Sequence, residues 1–161
     1  MNIRTAVLGD AETIHGALGA FAREGEDAGR FVSTIEDIRE HGFGDHPSFE
    51  VVLAEAGGQF AGLCLFFPIF SSWMGRPGVY IQDLFVRSQF RGQGVAQSLL
   101  RVVAEKASAR GACYLRLSVD RTNLGAKTFY DRIGIEASSD EEVRVLRGEA
   151  FHAFARGNAA R

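Results

Sequence analysis

Between Val79 and Ala109 an apolar run, a glycine turn and an amphipathic helix follow one another without a break: VYIQDLFVRSQF, RGQGVA, QSLLRVVAEKASA. The next strand-like run, Ala112 to Val119, completes a βαβ unit. Such a unit commits the chain to layered α and β structure, with its turn at the carboxyl end of the strand, where open sheets bind ligands. The turn also has a charge preference. A helix N-terminus leaves about four backbone N–H groups without intrahelical partners and carries partial positive charge. Gly92 and Gly94 let a ligand come close to those groups, so a phosphate or pyrophosphate is the expected guest. The bland alternative is a glycine turn before an ordinary helix.

Two familiar nucleotide loops do not fit. The Walker string G-x-x-x-x-G-K-[ST] is absent, and the dinucleotide fingerprint G-x-G-x-x-G/A would need Gly or Ala where Gln97 stands. What remains is aromatic Phe90 and basic Arg91 ahead of G-x-G-x-A.

The rest of the chain narrows the class. With 161 residues, one domain that buries its own core is expected. A hydrophobic share of 46% and a charged share of 24% are those of a globular chain. The net charge of −2 argues against nucleic acid as a partner. The N-terminal MNIRTAVLGDAE has no apolar h-region, and no run approaches the roughly 18 apolar residues of a membrane span, so a cytoplasmic location without membrane contact is expected. Cys64 and Cys113 sit in apolar runs and are expected to be buried and unpaired; with four scattered histidines they give no metal-ligand spacing, so no metal is expected.

In chain order, Asn2 to Val7 reads as a strand, and Asp10 as the cap of a helix carrying Ile14, Leu18 and Phe21. GEDAG at residues 25–29 breaks it, and a second helix is expected from Ser33 to Glu40. Phe49 to Ala56 and Phe60 to Phe70 form a hairpin about Gly57 and Gly58, the second run buried on both faces. A loop is expected over residues 71–78. In the strand Val79 to Val86 simple alternation puts Ile81, Asp83 and Phe85 on one side and Tyr80, Gln82, Leu84 and Val86 on the other. Polar Gln82 and Asp83 in such a run either meet partners or line a pocket, since an unpaired buried polar group costs roughly 1–3 kcal/mol. After the helix and the strand Ala112 to Val119 come a short helix with Phe129 and Tyr130, a strand from Glu142 to Leu146, and a helical tail.

The motif Phe-Arg-Gly-x-Gly-x-Ala and this order of elements resemble the GNAT superfamily of N-acetyltransferases. The similarity is greatest to its diamine (spermidine/spermine) branch: WMGRPGVYIQDLFVRSQFRGQG matches the branch's run of motifs, HGFGDHPSFEVVLAE its preceding loop and strand, and Asn123 precedes Tyr130 at the family spacing. The resemblance implies a GNAT fold of α/β (α+β) class, a mixed, mostly antiparallel central sheet of six to seven strands flanked by about four helices, and a homodimer. It implies acetyl-CoA as cofactor, its pantetheine arm beside Leu84, Phe85 and Val86 and its pyrophosphate over Arg91, Gly92, Gln93, Gly94, Val95 and Ala96, with Asn123 and Ala126 nearby. It also implies a small-molecule primary amine as acceptor beside Trp73, Gln82 and Asp83, with Tyr130 as acid for the leaving thiolate and as a cofactor contact.

Two departures bear on chemistry. The family's Glu-Asp pair is Gln82-Asp83 here, and an Asp two residues before the loop Trp is replaced by Ser71. An amine of pKa about 10.4 costs about 4.6 kcal/mol to neutralise at pH 7. Gln82 cannot accept that proton, which leaves Asp83, a water held by Gln82, or an amine of lower pKa. The loss of anionic groups points to an acceptor with less positive charge than spermidine. A catalytically silent acyl-CoA-binding domain and an acetyltransferase for protein N-termini or lysines stand as alternatives.

Overall fold

The computed structural model describes residues 1–25, 28–138 and 141–157. These divide at Asp120 into two compact units. The break expected at residues 25–29 falls partly on Glu26 and Asp27, outside the described residues.

The first unit is built from hairpins whose turns the glycines dictate. Strand β1 (Asn2–Thr5) lies antiparallel to β2 (Glu50–Ala56), which turns through Gly57 and Gly58 into β3 (Gln59–Ser71). Both glycines have positive φ, 57° and 75°, as a tight two-residue hairpin requires. Strand β4 (Arg76–Val86) returns antiparallel along β3, and β5 (Leu115–Leu117) joins parallel to β4, giving the order β1-β2-β3-β4-β5. Helix α3 (Val95–Ala109) makes the crossover. Helices α1 (Ala11–Glu24) and α2 (Ile35–Phe43) lie between β1 and β2 in sequence. Thr34 and Asp37 cap α2 reciprocally: the Asp37 N–H donates to Thr34 Oγ1 at 3.2 Å and the Thr34 N–H to the Asp37 carboxylate at 2.7 Å.

The two faces of the sheet have separate cores. Val51, Leu53, Leu63, Leu65 and Phe85 pack with Ile14, Ala17 and Leu18 of α1 and Ile38 of α2. The side chains between them in the strands, among them Val52, Cys64 and Phe66, turn to the opposite face, where α3 buries Val95, Leu99 and Val103. The second unit holds α4 (Leu124–Arg132) and α5 (Gly148–Ala155).

Several expectations are corrected. Residues 71–78 are not an open loop: the ladder runs on through Ser71↔Arg76 and Phe70↔Pro77, and only residues 72–75 turn. The run Phe60 to Phe70 is buried on both faces only as far as Phe66, because the end of the hairpin extends past the helices; Phe70 is 66% exposed. Asp10 precedes α1 but does not cap it. Its carboxylate accepts from Arg4 at 2.8 Å and from the Val7 N–H at 2.8 Å, which holds its pKa below the usual value, and Arg4 also reaches Glu55 at 2.9 Å. The strand expected over Ala112 to Val119 shortens to Leu115–Leu117, and Cys113 ahead of it is exposed while Cys64 is buried; both are free. The strand expected over Glu142 to Leu146 does not form. Its Val143 and Val145 are 74% and 60% exposed, and a strand needs a partner that an alternating pattern alone cannot provide. The sheet among the described residues therefore has five strands rather than six to seven, with five α-helices rather than about four.

Candidate active site

The decisive local feature is one extra residue in β4. Leu65 pairs with Asp83, but its neighbour Phe66 pairs with Ile81, so Gln82 has no partner of its own on β3. This is a β-bulge, and it undoes simple alternation. Ile81, opposite Phe66, faces α3. Asp83, opposite Leu65, faces the α1 side together with Phe85, whose ring lies 6.0 Å from that of Phe21. Gln82 itself is exposed. The sequence expectation that Ile81 and Asp83 share a side is thus overturned by a single inserted position.

The bulge leaves a carboxyl group half-buried at the edge of an apolar core. Burial pushes the Asp83 pKa up to about 6, from an ordinary 3.8, because its charged form has lost water without gaining a compensating cation. Burial, with a smaller contribution from the same carboxylate, raises the thiol pKa of Cys64 on the neighbouring strand. A carboxylate poised near 6 is ionised at neutral pH yet basic enough to take part in proton transfer.

Beyond the bulge, β4 parts from its parallel neighbour. The β4–β5 pairing runs from Val79↔Leu115 to Ile81↔Leu117 and stops there. From Asp83 to Val86, β4 has β3 as its only strand partner among the described residues, so the stretch Leu84, Phe85 and Val86 offers backbone groups along its other edge. The chain then makes a short turn at Ser88–Phe90 and enters the glycine loop. Gly92 and Gly94 have φ of 75° and 78°, and an added Cβ at either would meet no protein atom within 4 Å. The space above the loop is open and the backbone conformation is one that other L-residues avoid. Gly94 precedes α3, whose first intrahelical bond runs from Ser98 N–H to Gly94 O at 3.0 Å, leaving the N–H groups of Val95 and Ala96 at the free helix end. The donor set fits a diphosphate.

Two side chains of the loop are turned to structural tasks. Arg91 donates to Val86 O at 2.9 Å and to the Glu24 carboxylate at 2.5 Å, so its guanidinium ties the end of β4 to the end of α1. Gln93 donates to Gln89 O at 2.9 Å. The loop's anion preference therefore rests on backbone N–H groups and the helix end.

The remaining expected residues are placed as follows. Trp73 stands in the β3–β4 turn and is 99% exposed. Asp83 stands seven positions along the strand from Arg76, next to that turn, about 20 Å at the usual rise. Trp73 is therefore not brought to Gln82 and Asp83 within one chain. In the second unit, Asn123 caps α4, its side-chain oxygen accepting from Ala126 N–H at 2.9 Å. That bond orients both residues. Tyr130 is half-buried on the same helix, its ring 5.2 Å from that of Phe129.

Sequence reasoning missed one pair altogether. Phe67 and Tyr80 are direct cross-strand neighbours whose rings stack at 5.2 Å with 20° between planes, and the Tyr80 hydroxyl lies 2.8 Å from Ser118 Oγ. The available signal was the hairpin register, which follows once residues 72–75 are taken as the whole turn.

A bulged strand parting from its parallel neighbour, followed by a glycine loop over a helix N-terminus, makes a layered α/β architecture with an anion-binding helix end beside a free strand edge. The model of the Acetyltransferase (GNAT) family matches residues 16–135, and the chain belongs to that family. It is 31% identical over 160 residues to the thialysine N-epsilon-acetyltransferase of Sus scrofa, covering 94% of this chain and 89% of that one. It is 33% identical over 94 residues to the L-ornithine N5-acetyltransferase of Arabidopsis thaliana, covering 58% of this chain and 41% of that one. Among solved structures, an integron cassette protein from the mobile metagenome of V. cholerae superposes with a TM-score of 0.81 at 21% identity, covering 96% of this chain and 97% of that one; it shares the fold. The GNAT fold and an acetyltransferase activity, expected from the sequence, thus stand.

Proposed function

We propose that this acetyltransferase moves the acetyl group of acetyl-CoA directly to a primary amine of a small molecule. The observation that carries the proposal is the bulge at Gln82, which sets Asp83 half-buried on the α1 side of the sheet with a pKa near 6. Relatives named for thialysine and L-ornithine, both small amines, support the acceptor class.

Acetyl-CoA, when bound, supplies the activated thioester. Gly92 to Ala96 hold its diphosphate through backbone N–H groups, and the free edge of Leu84 to Val86 offers hydrogen bonds to its amide-bearing arm. Asp83 takes the proton from the acceptor's ammonium group, directly or through a water held at Gln82, which leaves the neutral amine as nucleophile. A backbone N–H of the bulged strand would donate to the thioester carbonyl oxygen, and Tyr130 would supply the proton that the departing sulfur takes up. Asn123 and Ala126 act through the cap that sets the start of α4. The two units work as one acetyltransferase domain, which the family match crossing Asp120 supports. The enzyme acts in the cytoplasm as a homodimer, needing no metal and no nucleic acid. The exposed Phe70, Trp73 and Met74 at the hairpin end offer an apolar surface for the second copy.

Tyr130→Phe tests the acid. Turnover is expected to fall about 100-fold while CoA affinity stays within twofold, and the alkaline limb of the pH–rate profile should disappear. A variant as fast as the parent at every pH removes Tyr130 from the mechanism.

A further inference from the structure

The face of the sheet that carries Asp83 continues past it into the stacked pair Phe67 and Tyr80. Leu65 and Phe67 are two residues apart on β3, so they share that face, and Asp83 and Tyr80 are their partners on β4. The bulge is what makes this so: without Gln82 as an extra residue, Tyr80 and Asp83 would lie on opposite sides. The stack is one pleat repeat, about 7 Å, from the carboxylate. Both rings are half-buried, which leaves aromatic surface free. The hydrogen bond to Ser118 Oγ fixes the phenol of Tyr80 against the residue that follows β5, so the platform is held from two sides.

Such a pair has a chemical preference. Aromatic faces attract cations, and an alkyl chain lies well along them. Trp73, the aromatic residue that the resemblance placed beside the acceptor, stands in the β3–β4 turn, about 20 Å from Asp83.

We infer that Phe67 and Tyr80 form the subsite for the distal cationic group of the acceptor, selecting a short amine that carries a second positive charge one pleat repeat from the nitrogen acetylated at Asp83. This rests on the proposed amine acetylation. The platform would then do the work for which the family's lost acidic residues are absent in this chain, holding a cation by ring faces rather than by carboxylates. Phe67 and Tyr80 act as specificity-determining residues and take no part in proton transfer.

The test compares putrescine with butylamine, which share length and a primary amine but differ in the second charge. In the parent enzyme kcat/KM for putrescine should exceed that for butylamine. Phe67→Leu should lower the putrescine value about fivefold to tenfold and leave butylamine and the KM for acetyl-CoA within twofold. Phe67→Tyr, which keeps the ring, should keep the preference. Tyr80→Leu offers the same comparison should Phe67→Leu not fold. If the leucine variants lower both amines by the same factor, or leave the ratio unchanged, the pair is only a cross-strand packing contact and the inference fails. Thiol release from acetyl-CoA by the parent with other amines, without preference for putrescine over butylamine, overturns the inference and leaves amine acetylation standing. Absence of thiol release by the parent with every amine overturns both.

Discussion

Replacing Asp83 by Asn is expected to lower kcat/KM at pH 7.5 by at least about 100-fold while leaving CoA affinity within a few fold. The acceptor arrives as an ammonium ion, and Gln82 offers no basic group for its proton. Asp83 is the carboxylate that the bulge aims at the α1 side of the sheet. In the parent, activity should rise with pH through about 6, the pKa to which burial pushes this group. The same substitution has a signature in stability. A carboxyl whose folded pKa lies above its unfolded value of 3.8 costs nothing below that value; the cost grows between 3.8 and about 6 and is complete above. The span corresponds to roughly 3 kcal/mol, part of which Asn returns through its own half-buried amide. Urea titrations at pH 4 and pH 7 should therefore show the parent losing stability relative to Asp83→Asn as pH rises. An equal difference at both pH values contradicts the assigned pKa, and near-parental turnover contradicts the role.

The second large effect is expected at Gly94. Its φ of 78° strains any side chain, at about 1–3 kcal/mol, and a Cβ there meets no protein atom within 4 Å. At its Cβ, Gly94→Val therefore meets open space. It raises the backbone energy at the start of α3 and projects a branched side chain into the space above the N–H groups. CoA affinity by calorimetry should fall at least tenfold, with a lower Tm and with secondary structure retained by circular dichroism. Gly94→Ala should fall between. If Gly94→Val binds CoA as tightly as the parent, the loop is an ordinary turn and the diphosphate sits elsewhere.

Much of this architecture was legible in the chain. The Gly57-Gly58 turn, the amphipathic spacing of α3 and the glycine loop are local, and each is encoded within a few residues. The bulge is different. Nothing in VYIQDLFV marks Gln82 as the inserted residue, because register depends on how β3 and β4 pair over their whole length. Misreading residues 71–78 as a loop had the same origin: Pro77 and Gly78 are turn-formers by propensity, and cross-strand pairing with Phe70 and Ile69 overrides them. Trp73 was found as a motif residue, but its distance from Asp83 follows from that extended hairpin. Val143 and Val145 show the converse case, an alternating pattern that pairs with no strand among the described residues. Asn123 and Tyr130 were legible from their spacing, and the cap on Ala126 accounts for why the first must be Asn or a similar residue.

The most direct measurement is release of free thiol from acetyl-CoA by the purified protein across a panel of small primary amines, with the product identified by mass spectrometry. Amine-dependent thiol release together with an N-acetylated amine is the predicted result. Tight CoA binding with no thiol released above the amine-free rate, for any member of the panel, would contradict it and leave a silent acyl-CoA-binding domain in its place.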